Sequence, residues 1–288
     1  MASTSALGAL GAWVPRSLPP GELASLARTL EETGYGTMWI SGGAEPGVFD
    51  AVDIALAATA QITVATGVVN IWMETPESVT GAWHRIEAQH PGRLQVGLGI
   101  SHAPLVESTG RGVYERPLSR VRGFLDMLDA QPDPLPPERR LLGALGPRML
   151  QLAAERTAGT HPYLVSVENT LAARAGVGPD RVVAPELGVV LEPDRQEARD
   201  VARAALARYF ALPNYTNNWL RSGFTEDDLG GGGSDRLIDA LVAHGDLDAI
   251  LHRVREHRDA GADHVALQIL GPQPHTEAGF RRLAALLP

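Results

Sequence analysis

Leu94, Val96, Leu98 and Ile100 alternate with Gln95, Gly97, Gly99 and Ser101. This period-two pattern predicts a strand within Arg93–His102. Two glycines inside a strand mark a bulge or a close approach of a ligand to the backbone. The same reading gives seven more strands. Gly8–Val14, Thr37–Ser41 and Ile62–Val69 precede this one, and Leu141–Leu145, Thr160–Val165, Val182–Leu191 (interrupted by Pro185) and His264–Leu270 follow it. Between them the apolar positions fall at helical spacing. Leu23, Leu26, Ala27 and Leu30 follow Pro19-Pro20, and Leu118, Val121, Leu125 and Leu128 lie within Pro117–Ala130. Asp50 is the expected N-cap of the second helix, and Asp194 with Glu197 forms a capping-box-like pair. Ala103–Gly112 reads as a polar loop. Leu212–Gly233, with PNYTNN and four consecutive glycines, breaks the rhythm before two further helices.

Strands alternating with helices eight times predict an α/β fold, a (β/α)8 TIM-type barrel with an insertion before the last strand. A doubly wound open sheet is the other arrangement this pattern allows. No composition shift divides the chain, so 1–288 is expected to form a single domain.

The 288 residues carry a net charge of −9, which argues against binding the phosphate backbone of nucleic acid. There are no cysteines, so disulfides, thiolate metal sites and a cysteine nucleophile are excluded. Met1–Leu10 lacks a basic flank before a long apolar run, and no window is apolar enough to span a membrane. A cytoplasmic protein without a membrane partner is expected. No closely spaced metal-ligand set and no obvious carboxylate pair is present, so no metal is expected.

In a barrel, residues just after each strand converge on one mouth. Here they include Trp13, Ser41-Gly42-Gly43, Val69-Asn70, Ser101-His102, Gly146–Arg148, Pro162-Tyr163 and Gln268. The segment Leu145-Gly146-Pro147-Arg148 is an anion candidate, because a glycine turn at a helix N-terminus offers amide donors and Arg148 adds charge. Gly159-Thr160 could face the same anion. GLGIS lacks the third glycine and immediate helix of a dinucleotide fingerprint. His102 is the candidate for proton transfer. His84, His90, His252, His257 and His275 are expected at the surface, and His161, His244 and His264 are left unassigned.

The motifs GAWVP, ITVATGVVN, HPGRLQVGLGISH, ERPLSRVRGFLDMLD, LGALGPRMLQLAAERTAGTHPYLV, LPNYTNNWLRSGFTEDDL and AGADHVALQIL together resemble the luciferase-like monooxygenase superfamily. Within it they resemble the branch of coenzyme F-420 (deazaflavin)-dependent oxidoreductases of actinobacteria. The resemblance implies a (β/α)8 barrel, often a homodimer, that binds F-420 or, alternatively, FMN at the strand C-termini and acts on a small organic molecule. It implies a cis non-prolyl peptide at Gly67–Val68 behind the ring, with Ser41, Val69, Asn70, Gly99 and Ser101 around the ring. It places Leu145, Gly146, Arg148, Gly159 and Thr160 at the coenzyme phosphate. Trp13, Trp72 and Tyr215, the last within Asn214–Trp219, are the candidates for the substrate side. Many members carry an acidic residue and a histidine after the second strand, where this chain has Gly42-Gly43. His102 is the expected replacement. The implied activity is hydride transfer between a deazaflavin and an organic substrate. The other readings are an FMN-dependent monooxygenase and a non-catalytic deazaflavin carrier or sensor.

Overall fold

The computed structural model describes residues 7–272 and 275–287. Among the described residues eleven strands form one sheet: β1 (Leu10–Val14), β2 (Thr37–Ile40), β3 (Thr63–Thr66), β4 (Val69–Asn70), β5 (Leu94–Gly99), β6 (Arg140–Leu142), β7 (Gly159–Thr160), β8 (Val182–Val183), β9 (Glu186–Val190), β10 (Val242–His244) and β11 (Val265–Ile269). All pairings are parallel, in the order β10-β9-β11-β1-β2-β3-β5-β6-β7-β8, with β4 beside β5. β3 and β4 are two pieces of one strand position, as are β8 and β9 on either side of Ala184-Pro185. This leaves eight positions and β10, which pairs with β9.

The sheet curls on itself as the alternation requires. Ala184 N donates to Thr160 O (2.9 Å), Glu186 N to Pro162 O (2.9 Å) and Ala266 N to Pro185 O (2.9 Å), so the β8–β9 segment is bonded to both flanking positions. Higher up, β9 pairs with β10 on the side away from β11. One set of strand residues, including Val14, Ile40, Val64, Val96, Leu187 and Leu267, packs beneath the helices. The alternate set, Trp13, Trp39, Ala65, Leu141, Ala184 and Ala266, fills the barrel interior. Indole rings facing alanines suit a narrow interior, in which two large side chains leave little room for a third.

Several sequence expectations are corrected. The sixth strand stops at Thr160 because Pro162 has no N–H to continue a ladder. Leu141–Leu145 shortens to β6, Ala103–Ser108 is a short helix and not a loop, and Gly47 replaces Asp50 as N-cap of helix Val48–Ala57. PNYTNN lies in helix Pro213–Arg221, with Pro213 at its permissive first position. β10 was unseen because VAH sits directly on the end of a helix, too short to show a period. Asp194 caps Gln196 and Glu197 through backbone N–H groups. His257 is fully buried on Thr170 (2.8 Å) and His275 is partly buried, so neither is a surface group.

The break between β3 and β4 shapes the barrel mouth. Gly67–Val68 is cis, and the bulge nests against glycines from both neighbouring strands. A Cβ would lie 2.1 Å from Thr66 O at Gly97, 2.4 Å from Val68 Cγ2 at Gly99 and 2.0 Å from Val68 O at Gly42. The glycines of the GLGIS strand therefore make room for the protein's own bulge. Gly42 has no space for a histidine at all.

Gly97→Ala is expected to destabilise the fold by about 2–3 kcal/mol through overpacking. This should appear as a melting temperature lower by roughly 5 °C, measured by circular dichroism; an unchanged melt would contradict the nesting.

Candidate active site

A cavity of about 920 Å³ opens at the C-terminal ends of the strands. Its floor is Trp13, the Gly67–Val68 bulge and His161; one wall is Gly99–His102, and the insertion supplies Tyr209 and Tyr215 opposite. Ser101 has φ 61°, a left-handed turn that carries the chain from β5 into the helix Ala103–Ser108. His102 is the N-cap residue of that helix. The aromatic insertion wall is held by Trp219, whose Nε1 donates to Leu164 O (3.0 Å).

Of the residues singled out from the sequence, the cavity brings together Trp13, Gly67, Val68, Asn70, Gly99 and Ser101. It also brings in His102, Leu145, Gly146, Arg148 and Tyr215. Five do not line it. Ser41 Oγ accepts from Arg16 N (3.1 Å), and Val69 is buried in the helix-facing core. Thr160 Oγ1 donates to Leu142 O (2.9 Å), and a Cβ on Gly159 would lie 2.0 Å from Val182 O. Trp72 donates to Ile100 O (3.0 Å) beneath the Arg120 guanidinium, 4.5 Å from its ring centroid. Asn70 is committed at both ends of its amide, donating to Gly43 O (3.1 Å) and accepting from Trp72 N (3.1 Å). It positions the strand-two loop.

The rim is cationic. Arg148 opens helix Pro147–Arg156, Arg221 lies with Nη2 3.9 Å from where a Gly146 Cβ would be, and Arg116 faces the same opening. Among the described residues, none of the three pairs with a carboxylate; Arg221 rests on Asn218 Oδ1 (3.1 Å). Three unneutralised guanidinium groups beside a helix N-terminus suit an anionic group. No cluster of candidate metal ligands occurs among the described residues, and no described helix is long and apolar enough to cross a membrane.

The titratable groups are tuned by burial. Desolvation, followed by the positive charge of Arg208, lowers the His102 pKa and favours the neutral imidazole. His161, unassigned from sequence, is 2% exposed, stacked on Trp39 at 3.9 Å, and bonded through Nδ1 to Ala184 O (2.7 Å). Burial pushes it down to about 3. Its clue was its place directly after the strand end Gly159-Thr160. Glu186 was also missed, although it is a lone acid in the apolar run APELGVVL. Its Oε2 accepts from Leu164 N (3.1 Å), its Oε1 has no partner, and burial raises its pKa to about 8. Nearby, Arg208 donates to Tyr209 OH (2.6 Å), and Tyr163 OH bridges Tyr209 OH (3.2 Å) and Gln268 Oε1 (2.9 Å). With Tyr163 donating to Gln268, Tyr209 must donate to Tyr163, so the chain runs in one direction.

The family model for luciferase-like monooxygenases matches residues 2–131, which bears out the resemblance read from the sequence at the level of the superfamily. The chain is 26% identical to a 5,10-methylenetetrahydromethanopterin reductase of Archaeoglobus fulgidus, over 85% of this chain and 88% of the relative. Among solved structures, the coenzyme F420 dependent tetrahydromethanopterin reductase from Methanopyrus kandleri superposes with a TM-score of 0.73. It has 16% identity and covers 97% of this chain and 98% of its own. The oxygenating constituent of 3,6-diketocamphane monooxygenase of Pseudomonas putida, in complex with FMN, superposes with a TM-score of 0.68. It has 15% identity, with 97% and 96% covered. The barrel expected from the strand–helix alternation is the fold these proteins share.

Glu186 yields a pH test. Its carboxyl is protonated up to about pH 8 in the folded chain but ionises near its ordinary 4.5 when unfolded. The unfolded state therefore gains stability as pH rises between those values. Glu186→Gln keeps an acceptor for Leu164 N and removes the titration. The variant is expected to melt increasingly above wild type as pH goes from 5 to 8; a pH-independent difference would refute the buried neutral acid.

Proposed function

We propose that this luciferase-like chain is an oxidoreductase that uses the deazaflavin coenzyme F420 to exchange a hydride with a small organic substrate. The observation that carries the reading is the cavity's division into an apolar floor and a rim of three unpaired arginines. A flat, largely uncharged ring system fits the floor, and phosphate and carboxylate groups of a coenzyme tail fit the rim. The F420 dependence of the Methanopyrus reductase and the chain's relatedness to the Archaeoglobus reductase support the choice of coenzyme.

Residues present in the chain fit the coenzyme on this reading. Val68 and Gly99 would back the ring, while Arg148, Gly146 and Leu145 would hold the phosphate, helped by Arg116 and Arg221. When bound, the deazaflavin supplies the hydride chemistry. The protein's tasks are orientation, exclusion of water by the insertion's tyrosines, and proton handling. His102, at the exit of β5 and neutral at pH 7, is the proposed proton acceptor, in place of any group at the sterically closed Gly42. Trp13 and Tyr215 would bound the substrate. The FMN-bound neighbour of the same fold supports a second reading, an FMN-dependent monooxygenase.

Fluorescence titration separates the two. F420 is expected to bind more tightly than FMN, with affinity falling as salt rises. Arg148→Ala is expected to weaken F420 by roughly tenfold or more through loss of a charge-assisted contact. Tighter binding of FMN would support the monooxygenase, and tight F420 binding without turnover in a broad substrate screen would support a carrier or sensor. With a substrate found by that screen, His102→Ala is expected to cut turnover about 100-fold; a wild-type rate removes His102 from the chemistry.

A further inference from the structure

Behind the tyrosine wall lies a second, smaller cavity of about 190 Å³. Tyr163 and Tyr209 line both spaces, so the 3.2 Å contact of their hydroxyls belongs to the partition between them. Arg208, Gln268, Leu206 and Leu270 line the smaller cavity and not the larger.

Its free polar groups are donors. The Arg208 side chain is exposed, yet it is held on Tyr209: its Cζ lies 4.7 Å from the ring centroid, and Nη2 donates to the hydroxyl (2.6 Å). Among the described residues, Arg208 Nε and Nη1 have no partner, and no carboxylate pairs with this guanidinium. Gln268 is buried, and its Oε1 is taken by Tyr163 OH (2.9 Å). Its Nε2 keeps two unused hydrogens and is not sealed from solvent. Because Gln268 lines the small cavity alone of the two, that is where Nε2 can be reached. With the chain running from Arg208 through both hydroxyls to Gln268 Oε1, the amide nitrogen is its free end, and each bond in such a chain strengthens the next donor.

The acceptors are used or closed off. Both hydroxyl oxygens and Gln268 Oε1 serve the chain, and His275 Nδ1 is fully buried. Burial pushes His275 down to about 4, so it is neutral at pH 7. Arg208 is thus the one formal charge among the described residues that line this cavity.

We propose that this side pocket binds one carboxylate group of a small organic acid. The carboxylate oxygens accept from the free edge of Arg208 and from Gln268 Nε2, and the carbon chain lies against Leu206 and Leu270. A monoanion matches the single guanidinium, whereas a phosphate dianion would leave one charge unanswered. A neutral amide would set its own donors against Nε2. The positive charge of Arg208 is felt at His102, so an acid held here would screen that charge from the main cavity. The pocket is independent of the coenzyme reading, and its test needs no F420.

Titration of the full chain with propanoate, propanamide and inorganic phosphate, followed by backbone amide NMR shifts, tests this. Propanoate is expected to shift Leu206, Leu270 and Gly271 saturably. It should bind at least tenfold more tightly than propanamide, the worth of a charge-assisted hydrogen bond. Arg208→Gln and Gln268→Glu, each checked for a cooperative melt, should each weaken propanoate about tenfold. Gln268→Glu keeps an oxygen for Tyr163 OH, so its effect reports the lost Nε2 donor and not a broken tyrosine chain. Propanamide binding as tightly as propanoate overturns the proposal, as do tighter binding of phosphate, shifts confined to the Arg148 rim, and the absence of saturable shifts.

Discussion

The nesting of Val68 between glycines is the constraint on which the rest of the mouth depends. A strand that continued straight from Thr66 to Asn70 would place a side chain on each face and close the barrel top. The bulge instead projects the Gly67–Val68 peptide inward, which is possible only where both neighbours have no Cβ. Gly42 on one side and Gly97 with Gly99 on the other supply that space: a Cβ would lie 2.0 Å from Val68 O at Gly42, 2.4 Å from Val68 Cγ2 at Gly99, and 2.1 Å from Thr66 O, just before the bulge, at Gly97. Three consequences follow from one steric fact. The floor of the cavity is a flat peptide, β3 and β4 pair with β5 in two separate pieces, and strand two cannot carry a histidine at its exit. The histidines that line the mouth, His102 and His161, therefore come from other strand positions.

The insertion gives this floor a roof of controlled polarity. Burying three tyrosines beside a carboxyl would be costly if the hydroxyls were unpaired. The directed chain from Arg208 through Tyr209 and Tyr163 to Gln268 satisfies most of them, and Trp219 anchors the helix that carries Tyr215. Glu186 stays neutral beside them because its single backbone donor does not offset its burial. The tyrosine hydroxyls and Glu186 thus carry no charge at neutral pH, and Arg208 heads their hydrogen-bond chain.

The sequence shows the architecture more clearly than the site. Eight strand–helix repeats were legible because the strands show as alternating segments such as LQVGLGI or as apolar runs such as VALQI between helical spacings. Boundaries failed where local rules compete. Thr160–Val165 looks like a strand by composition, yet Pro162 ends it, and PNYTNN looks like a loop, yet its proline begins a helix. The cis peptide at Gly67–Val68 came from the resemblance, because no periodicity reports on one peptide bond. His161, Arg116 and Arg221 could not be read as a group, since 105 positions separate Arg116 from Arg221 and only the folded barrel brings them to one opening.

The distribution of charge explains how an acidic protein can hold an anion. A net charge of −9 opposes anions at long range, but at physiological salt that field is screened beyond about 8 Å. Within that distance the mouth is governed by Arg116, Arg148 and Arg221. Among the described residues none of the three pairs with a carboxylate, whereas other arginines do: Arg140 and Arg156 with Asp129, Arg236 with Asp228, and Arg195 and Arg199 with Asp239. Keeping three guanidinium groups free within an acidic surface gives a locally positive rim without a generally basic protein. The chain can thereby favour a small polyanionic coenzyme over nucleic acid, whose extended backbone would meet the acidic surface beyond the rim.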